Sequence, residues 1–469
     1  MAQITLGTVP NSRRLLRRLK RVIIEGEQVK THKHVIGLSG FGKSKLLESL
    51  WLQHFYQGQG VTLIDPHGTS SEYILAALVS SGFYKSNPNA YQKVVWIHFE
   101  EGDFYPPLDV TAFPFLTPNE TVKFVMEAMH RLWPILSGNA AMFDMVIQHS
   151  IRLILANGLP LPELPYIYTM SKDERKHLLL NCDNPLTVNF WTKQWEPLQP
   201  RDQITFGGAA PRRADLLSQS EILKWSLGTT GKVIINPRQV MDQATCVLID
   251  LGSIKEKETK KFLGCLFTTA YESAVESRAP RMDMRSHYLL IDEAASFMAQ
   301  SGEAFEEMLA STRKFGLFVT LAHQTYSQMD QYAKLSGSLQ NVGVKVAFQL
   351  GKDDAPIMAR GVEDFDPQLV KKEAASPTGQ PIFASAQEQY EKAATFLKNL
   401  PPRHAVVRIG NQIPTLMETL PMPTPTAHQS EIDFVKSEYV RRYYVPKELI
   451  HLPHEQPWNG GRPASRGDD

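Results

Sequence analysis

Short apolar runs alternate with longer amphipathic stretches along much of the chain, and this alternation predicts a mainly parallel sheet flanked by helices. The apolar runs predict strands at residues 35–38, 61–64, 94–99, 246–251, 288–291, 318–321, 344–350 and 404–409. The stretches between them predict helices, including one at 45–57 and one at 386–399. The predicted fold class is therefore α/β.

The alternation stops between the third and the fourth of these strands. From residue 118 to residue 227, helical patterns at 120–132, 140–156, 172–180 and 186–195 are separated by prolines and aromatic residues. This region predicts an inserted all-α domain. The core is then expected in two parts, 33–117 and 228–420, with a basic segment at 1–32 and a proline-rich tail at 421–469 that we expect to be extended or disordered.

The basic N-terminal segment concentrates Arg and Lys around leucines between Arg13 and Arg21. Such a segment can contact DNA, anionic lipid or an acidic partner. A solvated basic helix leading into the core explains the same pattern equally well. The sequence leaves these readings open.

Composition excludes several classes of protein. The 50 basic residues balance 49 acidic ones, so the net charge of +1 shows no overall basic excess of the kind that indicates nucleic-acid binding. Positive charge can nevertheless be confined to one surface. The cysteines Cys182, Cys246 and Cys265 are far apart, which argues against a disulfide framework or a zinc site. No apolar run approaches the roughly 20 residues that span a bilayer. We therefore expect a cytoplasmic protein without a transmembrane segment.

The most informative motif is the octapeptide at 37–44, which reads Gly-Leu-Ser-Gly-Phe-Gly-Lys-Ser and is a complete phosphate loop. It predicts binding of a nucleoside triphosphate: the loop amides and the lysine contact the phosphates, and the serine hydroxyl ligates Mg²⁺. The alternative, a glycine-rich turn with a surface lysine, fits poorly between a strand and a helix. The predicted nucleotide-binding residues are Gly37, Leu38, Ser39, Gly40, Phe41, Gly42, Lys43, Ser44 and Lys45.

A second motif lies far downstream, where the predicted strand at 288–291 is followed by Asp292 and Glu293. Two carboxylates at the end of a strand suit a phosphate-loop enzyme, because Asp292 can hold Mg²⁺ and Glu293 can activate the attacking water. A strand that ends in a polar turn is the alternative explanation. The order of the motifs favours the enzymatic one.

Two further residues are candidates for catalysis. Gln324 ends the next predicted strand and could contact the γ-phosphate or the attacking water, although it could also be a simple helix-entry residue. Arg313 precedes that strand and could act as an arginine finger in a neighbouring subunit's site. A solvated arginine at a helix end is as common.

These motifs, in this order, resemble the HerA/FtsK superfamily of ring-forming DNA-pumping ATPases. Within it the likeness is closest to the cytosolic motor of conjugative coupling proteins of type IV secretion, the TraG/TraD type. The segments that carry the resemblance are 37–44, Leu-Ile-Asp-Pro-His-Gly at 63–68, Val-Leu-Ile-Asp-Leu at 247–251, Leu-Ile-Asp-Glu-Ala at 290–294, Arg-Lys-Phe-Gly at 313–316, Ala-His-Gln at 322–324 and Asn-Val-Gly at 341–343.

The resemblance implies a RecA-like P-loop NTPase fold and a homo-hexameric ring that hydrolyses ATP between subunits and moves DNA through its pore. It assigns Lys43 and Ser44 to phosphate and Mg²⁺, Asp292 to Mg²⁺, and Glu293 to water activation. It assigns Gln324 to sensing the γ-phosphate and Arg313 to the neighbour's site. The implied substrate is DNA in the duplex form, bound without sequence preference. A relaxase, a nuclease or a secretion channel is the implied partner.

The sequence also departs from the family. Coupling proteins usually begin with transmembrane helices, so recruitment of this chain to the inner face of the membrane would need a partner or the basic segment. Phe41 and Lys45 replace commoner Ser and Thr residues without removing a chemical group. No counterpart of the FtsK winged helix is evident.

The function predicted from the sequence is an ATP-dependent DNA translocase in conjugative or mobile-element DNA transfer. A nucleotide switch or oligomeric ATPase that regulates a protein partner is the alternative from another class. A non-catalytic scaffold is disfavoured because Lys43, Asp292 and Glu293 are all intact.

Overall fold

A computed structural model of the chain describes residues 2–10, 20–133, 140–207, 210–278, 284–298, 302–326, 339, 342–362, 366–372 and 382–455. Its strands, labelled in chain order, are β1 Gln3–Thr8, β2 Arg21–Glu25, β3 Lys33–Ile36, β4 Gly60–Asp65, β5 Val94–His98, β6 Phe104–Tyr105, β7 Cys246–Asp250, β8 His287–Ile291, β9 Leu317–His323, β10 Val344–Ala347, β11 Val370–Lys372, β12 Ile382–Phe383, β13 His404–Ile409, β14 Thr415–Thr419 and β15 Val445–Pro446.

The α-helices are Lys43–Tyr56, Thr69–Ser80, Phe83–Ser86, Ala90–Lys93, Pro118–Leu132, Ala140–Asn157, Leu164–Thr169, Lys172–Leu179, Pro185–Asn189, Pro200–Gly207, Ala210–Gln219, Glu221–Leu227, Pro237–Gln243, Lys257–Glu276, Ala295–Met298, Gly302–Ser311, Asp354–Val362, Ala386–Lys398 and Gln429–Tyr443. A π-helical turn, Phe190–Trp195, continues the helix Pro185–Asn189.

Eleven of the described strands form one sheet, in the order β2-β1-β14-β13-β10-β3-β9-β8-β4-β7-β5, while β11 pairs with β12 and β15 pairs with β6 in two separate two-stranded sheets. All neighbours from β10 to β5 pair in parallel, while β13, β14, β1 and β2 extend the sheet in antiparallel fashion. Every strand predicted from the apolar runs is present in this sheet. The predicted fold class, a mainly parallel α/β sheet of the RecA-like P-loop type with an inserted all-α domain, is confirmed.

The two faces of the sheet belong to two hydrophobic cores, because successive residues of a strand point to opposite faces. Leu289 and Ile291 of β8 belong to the core on the first face of the sheet, and Tyr288 and Leu290 belong to the core on the second face. The helix Lys43–Tyr56 covers the second face, and its Trp51 is fully buried and donates a hydrogen bond from Nε1 to the carbonyl of Val247 at 3.2 Å. The phosphate-loop region is thereby held rigidly against the sheet.

The helices between 118 and 227 lie on the first face of the sheet. Pro118–Leu132 is the element that joins them to the core: it starts with a capping box at Thr117 and packs on the helix Lys257–Glu276. Arg131, fully buried, pairs with Glu127 and with Glu272 of that second helix. Removing one partner of such a buried pair costs several kcal/mol.

The segment before residue 33 was expected to be separate from the core, and this prediction is wrong for its described parts. β1 and β2 are strands of the main sheet, in which β1 pairs with β14. Their alternating buried side chains, including Ile4, Leu6, Val22 and Ile24, join the second core. Most of the basic cluster, residues 11–19, lies outside the described residues.

The expectation of an extended or disordered tail after residue 420 is also wrong up to residue 455. The helix Gln429–Tyr443 packs beside β5 and covers that edge of the sheet, with the Tyr439 hydroxyl donating to the Val94 carbonyl at 2.6 Å. β15 pairs with β6. Burial of Ile432, Val435 and Tyr439 on one face of this helix explains why the segment is ordered. The prediction failed because the proline-rich sequence beside the helix obscured its helical pattern.

Candidate functional site

The phosphate loop lies between β3 and the helix Lys43–Tyr56, and its glycines are required by the backbone. Gly40 and Gly42 have φ angles of 83° and 116°, in the region that favours glycine. A Cβ at Gly37 would lie 2.5 Å from Cβ of Phe348. The loop amide of Leu38 donates to the Gln349 carbonyl at 2.8 Å, which anchors the loop on the segment that follows β10.

The side chains of the last two loop residues, Lys43 and Ser44, both have partners inside the site. Lys43 is 5% exposed and donates from Nζ to the carbonyls of Gly37 at 2.7 Å and Leu38 at 3.1 Å. Ser44 Oγ donates to Oδ2 of Asp292 at 2.9 Å. Residues 248 positions apart in sequence are therefore in direct contact, as the motif order predicts.

Burial governs the electrostatics of this pair of motifs. Burial lowers the pKa of Lys43, opposed by the nearby Glu293 and Asp292. Burial likewise raises the pKa of Asp292; the hydrogen bond from Ser44 opposes this shift, whereas the charges of Asp65 and Glu293 add to it. Burial therefore disfavours the charged forms of both groups. A divalent cation beside Asp292 and a phosphate chain beside Lys43 would each stabilise the charged form of the residue that it contacts.

Glu293 and Gln324 also come together. Glu293 has a φ of 47°, rare for a residue with a side chain, and its N–H donates to Oδ1 of Asp292 at 2.9 Å. Gln324 donates from Nε2 to Oε1 of Glu293 at 2.6 Å. The strained turn points the Glu293 carboxylate toward the end of β9, and the amide of Gln324 holds it there.

Lys45 was predicted as a nucleotide-binding residue, and its ammonium group has two partners in the fold. Nζ donates to Glu48 at 2.8 Å and lies 4.1 Å from the centre of the Tyr73 ring. Glu48, which is buried, also accepts from Ser70 Oγ at 3.1 Å. The Lys45 side chain therefore lies on the outer side of the helix start, next to the loop but turned toward Tyr73.

Sequence reasoning gave no chemical role to Asp65, which ends β4 beside Asp292. It is fully buried and accepts from the amides of His67, Gly68 and Ser71 at 2.8–3.0 Å. Burial raises its pKa, and these three N–H bonds oppose the shift. The Asp-Pro-His-Gly sequence at 65–68 was the sequence signal that could have identified this residue. The Asp65 carboxylate holds the turn that follows β4 next to the site.

Two buried histidines beneath the loop were also missed. His34 Nε2 and His323 Nε2 are 2.6 Å apart, the rings are stacked, and His323 Nδ1 lies 3.1 Å from the Thr325 carbonyl. Burial lowers the pKa of His323 to about 4, so the pair is neutral at pH 7 and one ring donates to the other. They connect the strand before the phosphate loop to β9, the strand that Gln324 follows.

Arg313 is not brought to the phosphate loop of its own chain. It is exposed in the 3₁₀ turn Thr312–Phe315, which precedes β9, whereas Gln324 follows β9. At about 3.3 Å per residue, the length of β9 separates the two by roughly 20 Å. The role of Arg313 in a neighbouring subunit stays a prediction.

Some predicted features lie outside the described part of the chain. These are the basic residues 13–19, Asn341 and the end of the tail from 456 onward. Among the described helices, none is both long and apolar enough to cross a bilayer.

No protein-family model matches the chain, and no curated protein is significantly similar to it in sequence. Several solved structures share its architecture. The plasmid coupling protein TrwB in complex with ADP and Mg²⁺ has a TM-score of 0.58 at 14% identity, over 92% of this chain and 96% of the other. Unbound TrwB, as the bacterial conjugative coupling protein without its first residues, has a TM-score of 0.57 at 13% identity, over 85% of this chain and 87% of the other.

VirB4 of Thermoanaerobacter pseudethanolicus has a TM-score of 0.51 at 14% identity, over 90% of this chain and 96% of the other. At these identities the likeness concerns the fold. Each alignment covers at least 85% of this chain. The resemblance that the motifs indicated is therefore confirmed at the level of the fold: this chain shares the architecture of the coupling protein TrwB and of VirB4.

Proposed function

We propose that the chain is an ATPase motor of the type IV secretion and conjugation kind, and that it translocates DNA. The observation that carries the proposal is the meeting of three motifs at one edge of the sheet. Lys43 lies in the phosphate loop, Ser44 contacts Asp292, and Gln324 contacts Glu293. A loop that binds phosphates, a site for a metal ion and a carboxylate for water activation are the parts that ATP hydrolysis needs.

Mg²⁺ fits the residues present. The Ser44 hydroxyl and the Asp292 carboxylate are 2.9 Å apart and offer the oxygen ligands that this ion prefers. When bound, Mg²⁺ supplies positive charge to the β- and γ-phosphate oxygens. TrwB has been solved with ADP and Mg²⁺ and with an ATP analogue, which supports the same ligands here.

The residues of this chain account for the hydrolytic step. Glu293 accepts a proton from water as the water oxygen bonds to the γ-phosphorus, and the bond between the γ-phosphorus and the β–γ bridging oxygen breaks to leave ADP and phosphate. Lys43 stabilises the charge on the phosphates. Gln324 sets the position of the Glu293 carboxylate, so a change at the γ-phosphate reaches β9 through this side chain.

The ring and the DNA are the finer part of the proposal. Arg313 is exposed at the opposite edge of the sheet from its own phosphate loop, so it can contribute to hydrolysis only in a neighbouring copy. A homo-hexamer with DNA in its pore, in the cytoplasm and recruited to the membrane through a partner, accommodates this geometry. DNA bound through its phosphates gives little sequence preference and a steep salt dependence.

The test is the steady-state ATPase rate of the purified full chain with and without long duplex DNA, over a salt series, beside Lys43→Ala. Stimulation by DNA that fades with salt and is absent in the variant supports the proposal. A rate that is indifferent to DNA but lost in Lys43→Ala would replace the motor with a nucleotide switch that answers to a protein partner.

A further inference from the structure

Gln324 lies between two anchors of the chain. On one side, the carbonyl of His323 accepts from the amide of Gly37, the first residue of the phosphate loop, at 3.3 Å. On the other side, the amide of Tyr326 donates to Oδ1 of Asp354 at 2.8 Å. The short segment between these anchors decides where the Gln324 side chain points.

The imidazole of His323 spans this segment. Its Nδ1 lies 3.1 Å from the carbonyl oxygen of Thr325, the residue after Gln324. A carbonyl oxygen can only accept, so Nδ1 of His323 carries a proton and donates it. The ring therefore closes a turn from residue 323 to residue 325. Gln324 is the middle residue of this turn, and its Nε2 donates to Oε1 of Glu293 at 2.6 Å.

His34 fixes which nitrogen of His323 carries the proton. Burial lowers the pKa of His323 to about 4 and that of His34 well below its ordinary value, so both rings are neutral at pH 7. A neutral imidazole has one N–H group and one bare nitrogen. Because Nδ1 of His323 donates to Thr325, its Nε2 is bare and accepts from Nε2 of His34, which lies 2.6 Å away. The donors therefore run in one direction, from His34 through His323 to the Thr325 carbonyl.

The surroundings hold both rings in place. His34 and His323 are fully buried, their ring planes are inclined by 10°, and the Tyr326 ring meets both edge-on at 5.7 and 5.6 Å. Their strands are adjacent and parallel, with His34 of β3 opposite Leu321 of β9. A buried ring that loses either hydrogen bond is left with an unpaired polar atom, which is costly.

We propose that His323 is a positioning residue for ATP hydrolysis, which sets the turn that carries Gln324, and that His34 fixes its tautomer. The inference rests on the proposed function, because it takes Gln324 to hold the Glu293 carboxylate during hydrolysis. His323 contacts the phosphate loop through its carbonyl and the Gln324 turn through its ring. Loss of the ring contact therefore lets the turn shift relative to the loop, and small shifts of this kind slow catalysis.

Two substitutions separate the two nitrogens of His323. The amide of asparagine reaches the position of Nδ1 and can donate to Thr325, whereas that of glutamine reaches the position of Nε2 and can accept from His34. In steady-state ATP hydrolysis by the full chain, His323→Gln is expected to lower kcat about tenfold and to leave KM within about twofold of the parent. His323→Asn is expected to keep kcat within about threefold, with a lower thermal unfolding midpoint, since Nε2–H of His34 loses its acceptor.

A second comparison tests whether His323 acts through Gln324. Gln324→Ala and the double variant with His323→Gln should have the same kcat, because the turn then has no side chain left to position. His287→Gln, at an equally buried histidine that begins β8, should keep the parental kcat.

Hydrogen exchange of the nucleotide-free chain gives a readout that does not depend on hydrolysis. The amides of residues 324–326 should exchange faster in His323→Gln than in the parent and in His323→Asn, because only His323→Gln loses the donor to Thr325. Unchanged exchange in His323→Gln would contradict the proposed turn.

Equal loss of kcat in His323→Asn and His323→Gln would show that the ring only fills space, and would overturn the inference. A double variant whose loss is the product of the single losses would also overturn it. If His323→Gln fails to fold, a loss of about tenfold in His323→Asn overturns the inference and a retained kcat supports it. A parent chain that hydrolyses no ATP would instead defeat the proposed function, and hydrogen exchange would still decide whether His323 holds the turn.

Discussion

The two edges of the parallel part of the sheet carry opposite kinds of chemistry. At the carboxyl edge, Ser44, Asp292, Glu293 and Gln324 contact one another, and Asp65 is held by backbone amides beside them. At the amino edge, basic groups are buried and hold their protons less tightly: burial lowers the pKa of His32 to about 4 and that of Lys33 to about 7. The positive charge that remains accessible there belongs to residues such as the exposed Arg313.

This difference follows from strand direction. Parallel strands bring all their carboxyl ends to one edge, so residues far apart in sequence assemble into one site there. The amino edge assembles no such site from the described residues, yet it contains the arginine that the motif order selects. We therefore expect the carboxyl-edge site of one subunit to use the amino-edge arginine of a neighbouring subunit in ATP hydrolysis. Four substitutions test this difference between the two edges.

The largest effect is expected for Arg313→Ala. A homomeric variant should lose about a thousandfold in ATPase rate, because the charge that stabilises the transition state comes from the neighbour. Mixing it with Lys43→Ala subunits should restore part of the rate, since an intact loop then faces an intact arginine. Lys314→Ala, at the adjacent exposed residue, is the control. Absence of rescue in mixed assemblies would reduce Arg313 to a structural residue.

Glu293→Gln is expected to reduce turnover by a hundredfold or more while ATP still binds, because the amide cannot accept the proton from water. Single-turnover hydrolysis and equilibrium binding separate the two effects. Glu100→Gln, at a carboxylate that is 71% exposed, should behave like the parent. A variant that turns over at the parental rate would remove Glu293 from the mechanism.

Gln324→Ala should lower the rate about tenfold, a smaller loss, since it frees the Glu293 carboxylate without removing it. The telling readout is the ratio of DNA-stimulated to basal rate, which should fall toward one if Gln324 connects the γ-phosphate to β9. Gln239→Ala, on an exposed helix position, serves for comparison. An unchanged stimulation ratio would leave Gln324 as a helix-entry residue.

The smallest effect concerns stability at the amino edge. The Lys33 pKa is about 7 in the folded chain and 10.5 ordinarily, so between these values the unfolded chain binds more protons and the free energy of unfolding rises with pH. Thermal unfolding midpoints from pH 7 to 9 should therefore rise in the parent and rise less in Lys33→Met. Lys30→Met, at a side chain that is 48% exposed, should keep the parental slope. Equal slopes in all three would show that Lys33 keeps its charge.

Much of this arrangement could be read from the sequence because it depends on short patterns. The apolar runs gave the parallel strands, and the two motifs gave Lys43, Ser44, Asp292 and Glu293, whose contacts need only a parallel sheet. β1, β2 and β14 were missed since the sequences of these antiparallel strands are only about half apolar and form no continuous apolar run. Gln429–Tyr443 was missed because its apolar face is narrow and flanked by prolines.

Other residues act through tertiary contacts that carry no local pattern. His34 and His323 are 289 positions apart, and neither sits in a recognisable motif for a buried histidine pair. Arg403 reaches Phe41 only because β13 lies beside β10 in the sheet. Such pairings are set by strand order, which single-sequence periodicity does not contain.

We propose that hydrolysis at the carboxyl edge moves DNA, and displacement of a triplex-forming strand from linear duplex DNA measures this movement itself. A DNA motor should displace the third strand only with ATP, the extent of displacement should depend on the length of duplex beside the triplex, and Glu293→Gln should displace none. An ATPase rate stimulated by DNA without displacement of the third strand would contradict the claim and leave a DNA-activated switch in place of a motor.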